Sequence, residues 1–375
     1  MKVLYDHQCF VQQQFGGVSR YHYQLIKELN KLQNVEAKLS LKYSNNFYIN
    51  EDKSFDVKKF FPNHKFYLKR TILDYINRIS TNRILEAANY DIFHPTYFNP
   101  YFLNHLNNKP FVLTVYDSIH EKYPEIINSI DKTLANKKVL LSKAGFIIAI
   151  SNSTKNDLIE LHNIPSEKIE VVYLAASINK SLVSSNVKLN LPEKYILFVG
   201  NRDFYKNFNN FILAVEPLLK KHKDLFLICA GGSIFTNEEK NFFQSKQVAN
   251  KISHKGADDI TLATLYVNAL AFIFPTLYEG FGIPALEAMN CDCPVIMSNT
   301  SSLPEVGGDA AIYFDPNNTD DMREKIESVI FNIDLRNDLI LKAKTQRQKF
   351  SFEKTALDTK KIYERLLNNS AYVKI

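Results

Sequence analysis

The segment Phe274-Pro-Thr-Leu-Tyr-Glu279-Gly-Phe-Gly-Ile-Pro-Ala-Leu-Glu287-Ala-Met289 opens on the end of a short apolar run and passes through two glycines into a helical pattern. Ala271–Phe274 is short and wholly apolar and reads as a buried strand. Pro284 falls in the first helical turn, where a missing N–H is tolerated. A strand, a glycine turn and a helix are therefore predicted in that order. The N–H groups of Phe281, Gly282 and Ile283 sit at the helix start, where they lack intrahelical acceptors and can meet phosphate or sugar oxygens. Glu279 lies ahead of the helix and Glu287 within it. A carboxylate is a double acceptor suited to the vicinal hydroxyls of a ribose or hexose. By residue type alone, however, a capping glutamate and a surface helical glutamate explain the pair better.

The same alternation extends outward in both directions. Val3–Tyr5, Ala37–Leu41, Ile92–His94, Phe111–Val115, Phe146–Ile150 and Ile169–Tyr173 read as strands. Helical patterns lie between several of them, at Val18–Leu32, Tyr67–Ala88, Lys132–Ser142 and Ser153–Leu161. The pattern lapses around Ser184–Lys194 and restarts with strands at Tyr195–Val199, Leu225–Ala230, Lys251–His254, Ala271–Phe274, Val295–Met297 and Ala311–Phe314. Alternating strands and helices imply parallel, doubly wound sheets. A chain of 375 residues also exceeds one ordinary core. Two α/β domains are predicted, residues 1–187 and 188–354, with a ligand cleft between the carboxyl ends of their strands.

Composition narrows the function. The chain is 45% hydrophobic and 23% charged, values of a globular protein rather than a disordered one. No apolar run reaches the roughly 18–20 residues of a membrane helix. A charge at Asp6 interrupts the amino terminus before a signal-peptide core could form, so a cytoplasmic location is expected. Cys9, Cys229, Cys291 and Cys293 give neither a disulfide framework nor a zinc signature and read as reduced, packed thiols. The net charge of +6 is uneven, with Lys58, Lys59, Lys65, Lys69, Arg70, Arg78 and Arg83 crowded among Phe60, Phe61, Phe66, Tyr67 and Leu68. Such a stretch, within residues 56–83, suits peripheral contact with an anionic membrane or a phosphate-bearing acceptor, and reads equally as a solvated helical face. No nucleic-acid signature accompanies it, and no nucleic-acid partner is expected.

Two further places could receive an anion. Gly16-Gly17 follows the first strand and precedes a helix, where backbone amides can approach a phosphate. The dinucleotide and Walker fingerprints are absent. In the second half, Tyr195-Ile-Leu-Phe-Val-Gly200-Asn-Arg202-Asp-Phe-Tyr-Lys206-Asn207 puts two cations after a strand and a glycine turn. A forked guanidinium and a mobile ammonium suit a diphosphate, and ordinary surface cations fit as well.

Together these strings resemble the retaining glycosyltransferases of family 4. Glu279 and Glu287, with seven residues between, match that family's signature. Gly16-Gly17-Val-Ser-Arg-Tyr, Thr114-Val-Tyr-Asp117, Ile150-Ser-Asn-Ser153, Val199-Gly-Asn-Arg202, Cys293-Pro-Val295, Ser301-Ser-Leu-Pro-Glu305 and Phe350-Ser-Phe352-Glu353 follow in family order. The resemblance implies the GT-B fold: two Rossmann-like domains facing each other across a cleft, with a last helix, 355–375, crossing back to the first. It implies a sugar-nucleotide donor in which Glu287 holds the ribose, Glu279 the donor sugar, and Arg202 and Lys206 the diphosphate. Gly16 and Gly17 would meet the diphosphate from the other domain. Phe281, Gly282 and Ile283 would lend backbone contacts.

No Asp-x-Asp occurs, so no metal is expected, and no cofactor beyond a GDP- or UDP-linked sugar. Retention by attack on the leaving-group face needs no covalent nucleophile. One departure from the family stands out: the position often held by histidine is Tyr116, so either Asp117 and His120 share sugar positioning or the donor sugar differs at the carbon that histidine reads. The implied activity is transfer of a hexosyl unit, mannose first, to a saccharide or lipid-linked acceptor in cell-surface polysaccharide or lipopolysaccharide assembly. A sugar-nucleotide epimerase and a non-catalytic sugar-nucleotide-binding protein are the alternatives.

Overall fold

In the computed structural model, the structure describes residues 1–126, 132–184 and 189–368. Every expected strand forms: β1 (Lys2–Tyr5), β2 (Glu36–Leu39), β3 (Ile92–His94), β4 (Val112–Val115), β5 (Phe146–Ala149), β6 (Ile169–Val171), β7 (Lys194–Val199), β8 (Leu225–Ala230), β9 (Ile252–Lys255), β10 (Ala271–Phe274), β11 (Val295–Ser298) and β12 (Ala311–Phe314). The chain divides into two compact units, Met1–Leu174 with Phe352–Ile375, and Ala175–Ser351.

In the first unit, parallel strands run in the orders β2-β1-β3 and β4-β5-β6. A bridge between Phe93 and Phe111 joins them, with the Phe93 N–H donating to the Pro110 carbonyl at 3.1 Å. Every residue of β4 and β5 is buried. A sheet covered on both faces needs apolar side chains in unbroken runs, which is why these strands read so clearly. The last helix, Phe352–Asn368, packs into this unit. Its buried Tyr363 hydroxyl lies 2.5 Å from the Tyr5 hydroxyl and 2.6 Å from His94 Nδ1.

The second unit holds one parallel sheet in the order β12-β11-β10-β7-β8-β9. Along β7, Ile196 and Phe198 enter one apolar core while Tyr195, Leu197 and Val199 enter the other. That is strand alternation with both faces buried. The helices Phe208–Lys221 and Thr319–Ile330 pack on the first face; Asp259–Asn268 and Ile283–Asn290 pack on the second. Strand order reverses between β7 and β10, so the carboxyl ends of these two strands form the topological switch point where such sheets bind ligands.

The unit boundaries differ from the expected ones. The junction at 187–188 lies outside the described residues, and the division comes earlier, after Leu174. Ile178 is buried in the second unit's core, and Asn290 Nδ2 donates to the carbonyls of Ala176 (3.5 Å) and Ile178 (3.3 Å). The returning helix starts at Phe352 rather than 355 because Phe350, packed edge-on to Phe281 at 5.6 Å, still belongs to the second unit. Residues 369–375 of that expected helix lie outside the described residues. Among the described residues no helix is long and apolar enough to cross a membrane, and all four cysteines are buried and free.

Candidate functional site

The switch point of the second unit is built from two loops that bond to each other. Beyond β7 the chain turns at Gly200, whose φ of 136° is one that residues with a Cβ rarely adopt, and reaches Lys206. Beyond β10 the Leu277 N–H donates to the Tyr205 carbonyl at 2.7 Å, and the Thr276 hydroxyl donates to the same oxygen at 3.0 Å. These bonds bring Lys206 Nζ to 2.6 Å from Glu279 Oε1. The two side chains are 14% and 13% exposed, half-sheltered yet reachable. Burial lowers the Lys206 pKa, but the charge and hydrogen bond of Glu279, with Tyr205 and Asp203 nearby, together outweigh it and hold the amine above its ordinary value. Lys206 is thus a fixed cation whose partner is the other residue expected to grip the donor. Their residue types suggest separate tasks; the structure puts them in contact.

The backbone of Glu279 is clamped on both sides. Its N–H donates to Ser301 Oγ at 2.9 Å, and its carbonyl accepts from Ser302 Oγ at 2.9 Å. Neither serine was assigned a role from the sequence, although both fall in a string that carried the family resemblance. Three residues on, Gly282 opens the helix Ile283–Asn290 with φ at 102°. A Cβ there would also lie 2.7 Å from Leu303 Cδ2. Gly282→Ala is expected to destabilise the second unit by roughly 1–3 kcal/mol through a strained backbone, read as a lower melting temperature. An unchanged melt would show that the turn can relax.

The Phe281 ring is buried, so only its backbone is available to a ligand. Glu287 is 6% exposed, and Tyr266 Oη donates to its Oε2 at 3.4 Å. Burial and the neighbouring Glu287 charge push the Tyr266 phenol far up, so it remains a donor.

Arg202 is placed differently from expectation. Its buried guanidinium pairs with Glu239 and donates through Nη2 to the Ser233 carbonyl at 2.7 Å. It also lies 5.0 Å from the Phe235 ring centre. Glu239 is the third helical residue of a capping box, its Oε2 accepting the Thr236 N–H at 2.7 Å. Arg202 therefore ties the loop after β8 to the loop after β7 and is not drawn to the Lys206–Glu279 pair. Thr236-x-x-Glu239 was legible as a capping box. So was Gly231-Gly232 after β8, which takes φ of 78° and 64° against the Gly200 turn.

In the first unit, Gly16 has an extended φ of 167° and needs no left-handed freedom. It is small because Gln13 lies against it: a Cβ there would fall 2.4 Å from Gln13 Oε1. That oxygen accepts the Ser19 N–H at 3.0 Å, so Gln13 tops the helix Gly17–Leu29 and takes one of its first-turn amides. Gly17 is exposed. Tyr116 is buried, its hydroxyl 2.5 Å from His22 Nε2, which makes it a core residue and leaves Asp117 and His120 outside. Burial and the nearby His94 hold the His22 pKa well below its ordinary value, and burial lowers His94 to about 3, so both imidazoles are neutral.

Asp117 Oδ1 accepts the Ile119 N–H at 3.1 Å, closing the turn into the short helix Ile119–Lys122 that carries His120. A buried set unseen in the sequence lies next to that turn. Lys137 Nζ donates to the Asp117 carbonyl at 2.7 Å and pairs with Glu121 at 2.7 Å, and His162 Nε2 meets the same carboxylate at 2.8 Å. Burial pushes the Glu121 carboxyl up, but His162 and Lys137 overcome it and hold the pKa at about 2.

Comparison with known proteins agrees with this architecture. Residues 15–179 match the model described as Glycosyltransferase Family 4, and residues 181–346 match Glycosyl transferases group 1. The O-antigen chain mannosyltransferase B of Escherichia coli is 29% identical over 240 residues, covering 60% of this chain and 62% of that protein. Among solved structures, sucrose-phosphate synthase from Thermosynechococcus elongatus superposes with a TM-score of 0.75 at 19% identity, over 98% of this chain and 99% of that one. The Anabaena protein HepE, in complex with UDP and glucose, gives 0.73 at 15% identity, over 98% of this chain and 100% of that one. With two Rossmann-like units, a returning helix and both halves matched, the chain belongs to the family 4 glycosyltransferases of GT-B fold.

Proposed function

We propose that the protein transfers a hexosyl unit, mannose first, from a GDP- or UDP-sugar to a saccharide or lipid-linked acceptor in cell-surface polysaccharide synthesis, with retention and without a metal. The observation that carries this is the half-sheltered Lys206–Glu279 pair at the switch point, just ahead of the helix Ile283–Asn290 that carries the buried Glu287. The Escherichia coli relative bears a mannosyltransferase name, and the Anabaena neighbour holds UDP and glucose; both favour the reading.

In this reading Glu287 accepts from the ribose hydroxyls and Glu279 from those of the donor sugar. Lys206 and the amides of Phe281, Gly282 and Ile283 face the diphosphate. As the anomeric carbon–oxygen bond breaks, its electron pair passes to the departing phosphate oxygen. A preorganised ammonium and backbone dipoles stabilise that charge without reorganisation. The acceptor oxygen bonds to the anomeric carbon from the same face, and its proton leaves to the diphosphate. Asp117 and His120 are assigned to positioning the sugar, and the Gly16-Gly17 amides to an anionic group. Arg202 acts through the shape of the loop it ties.

Glu287→Gln removes a charged acceptor but keeps its shape. Titration calorimetry is expected to show GDP or UDP binding weakened about tenfold or more, as loss of charge-assisted hydrogen bonds implies. Unchanged affinity for both nucleotides would sink the assignment. A thermal-shift panel of sugar nucleotides identifies the donor, since a ligand of the folded state raises the melting temperature with its affinity.

A further inference from the structure

The helix Lys69–Glu86 faces the wrong way round for an ordinary surface helix. Of its five buried residues, Leu73, Asn77, Ser80, Thr81 and Leu85, three are polar; Asn77 Oδ1, for example, accepts the Lys42 N–H at 2.8 Å. Its outward side carries Ile72 and Tyr75, both exposed. Water-facing helices normally show the reverse distribution.

The loop before it continues the theme. Residues 61–68 are all exposed, among them Phe61, Phe66, Leu68 and a 90% exposed Tyr67. Phe61 and Leu68 take φ of 42° and 65°, a backbone that bulky residues avoid and that marks places held by their surroundings. The loop is held from within. Lys69 Nζ donates to the carbonyls of Phe61 (2.7 Å) and His64 (3.0 Å), and Phe61 and Phe66 both pack on the buried Phe60. A braced loop that presents large apolar side chains to water is built for a surface that will cover them.

Charge identifies that surface. Between positions 57 and 73 there are five Lys or Arg and no Asp or Glu. Lys69 is committed to the loop's own carbonyls, while Lys58, Lys59, Lys65 and Arg70 are exposed around the apolar tip. A phosphate-bearing polymer would use the cations and leave the tip in water. A bilayer with anionic headgroups uses both, with cations at headgroup level and aromatic and aliphatic side chains in the interface.

We propose that loop 61–68 and the outward face of the helix Lys69–Glu86 dock the first unit on an anionic phospholipid bilayer. This goes beyond the transferase reading and does not depend on it. The test is sedimentation of the full chain with phosphatidylcholine vesicles, with and without phosphatidylglycerol, at low and high salt. Binding is expected only with phosphatidylglycerol and is expected to weaken as salt rises.

Lys59→Gln with Lys65→Gln should lower the partition coefficient about thirtyfold, from the known contribution of each cation near a charged surface. Tyr67→Ser with Leu68→Asn should lower it at least about tenfold by removing interfacial apolar area. Donor affinity by calorimetry and the melting temperature should stay those of the parent in both variants, which separates this test from that of the donor site. Absence of binding to anionic vesicles, equal binding to neutral ones, or binding untouched by either pair overturns the proposal. So does a lipid-free dimer formed through this face.

Discussion

Lys206→Ala is expected to lower kcat/KM for the sugar nucleotide by about 10²–10³, chiefly through kcat. Removing one preorganised donor from developing charge has effects of that size. The 2.6 Å contact with Glu279 makes the cation a fixed one, and its raised pKa keeps it charged throughout the neutral range. The substitution also leaves the Glu279 carboxylate without its cation in a half-sheltered place, which adds a structural share to the loss. A double variant separates the two. Lys206→Ala with Glu279→Gln removes the stranded charge, and its melting temperature should return toward the parent value while its rate does not. Recovery of rate in the double variant would show that Lys206 serves the fold and not the reaction.

Lys137→Met should lower the stability of the first unit by about 3–5 kcal/mol, the range for removing one partner of a buried pair. Side-chain exposure is 3% for Lys137 and 7% for Glu121, so no water is at hand to replace the lost partner. The Asp117 carbonyl loses its donor in the same step. At roughly 2–4 °C per kcal/mol for a unit of this size, a fall of about 10 °C in melting temperature is expected. A shift of less than about 2 °C would remove the buried pair from any account of the turn that carries His120.

Titration gives an independent check with a defined sign. Glu121 titrates at about 2 in the folded chain against an ordinary 4.5, so the unfolded chain binds its proton first as pH falls. Its contribution is complete above about 4.5, declines as pH drops and is lost below about 2. The parent should therefore lose about 3 kcal/mol across that window. Glu121→Gln should flatten the decline there.

The central strands were legible because they are buried on both faces: Val112–Val115 and Phe146–Ala149 hold a single polar side chain, Thr114, which is bonded to His94. Strand ends were less so. The predicted 111–115 and 146–150 each run one residue long, because the apolar Phe111 just before one strand and Ile150 just after the other look like part of the strand they flank. In the site, the glycine turn ahead of the helix Ile283–Asn290 followed from strand-turn-helix order, whereas Glu287 read by type as a surface glutamate and is buried. Pairing did not follow either. Lys206 and Glu279 are 73 positions apart, and Arg202 and Glu239 are 37 apart. Nothing in a residue's type says whether its charge will face a ligand or a neighbour. Gly16 shows the same limit in reverse: a glycine after a strand does not announce that the side chain of Gln13 will lie against it.

The contact between Lys206 and Glu279 also bears on how the spent nucleotide departs. Glu279 is a carboxylate tethered beside the ammonium that the departing nucleotide would hold, and a tethered group acts at a high effective concentration. It is a built-in rival of the product. On the proposed assignment, Glu279 would recapture the ammonium as the nucleotide leaves, so the residue proposed to hold the sugar would also help release.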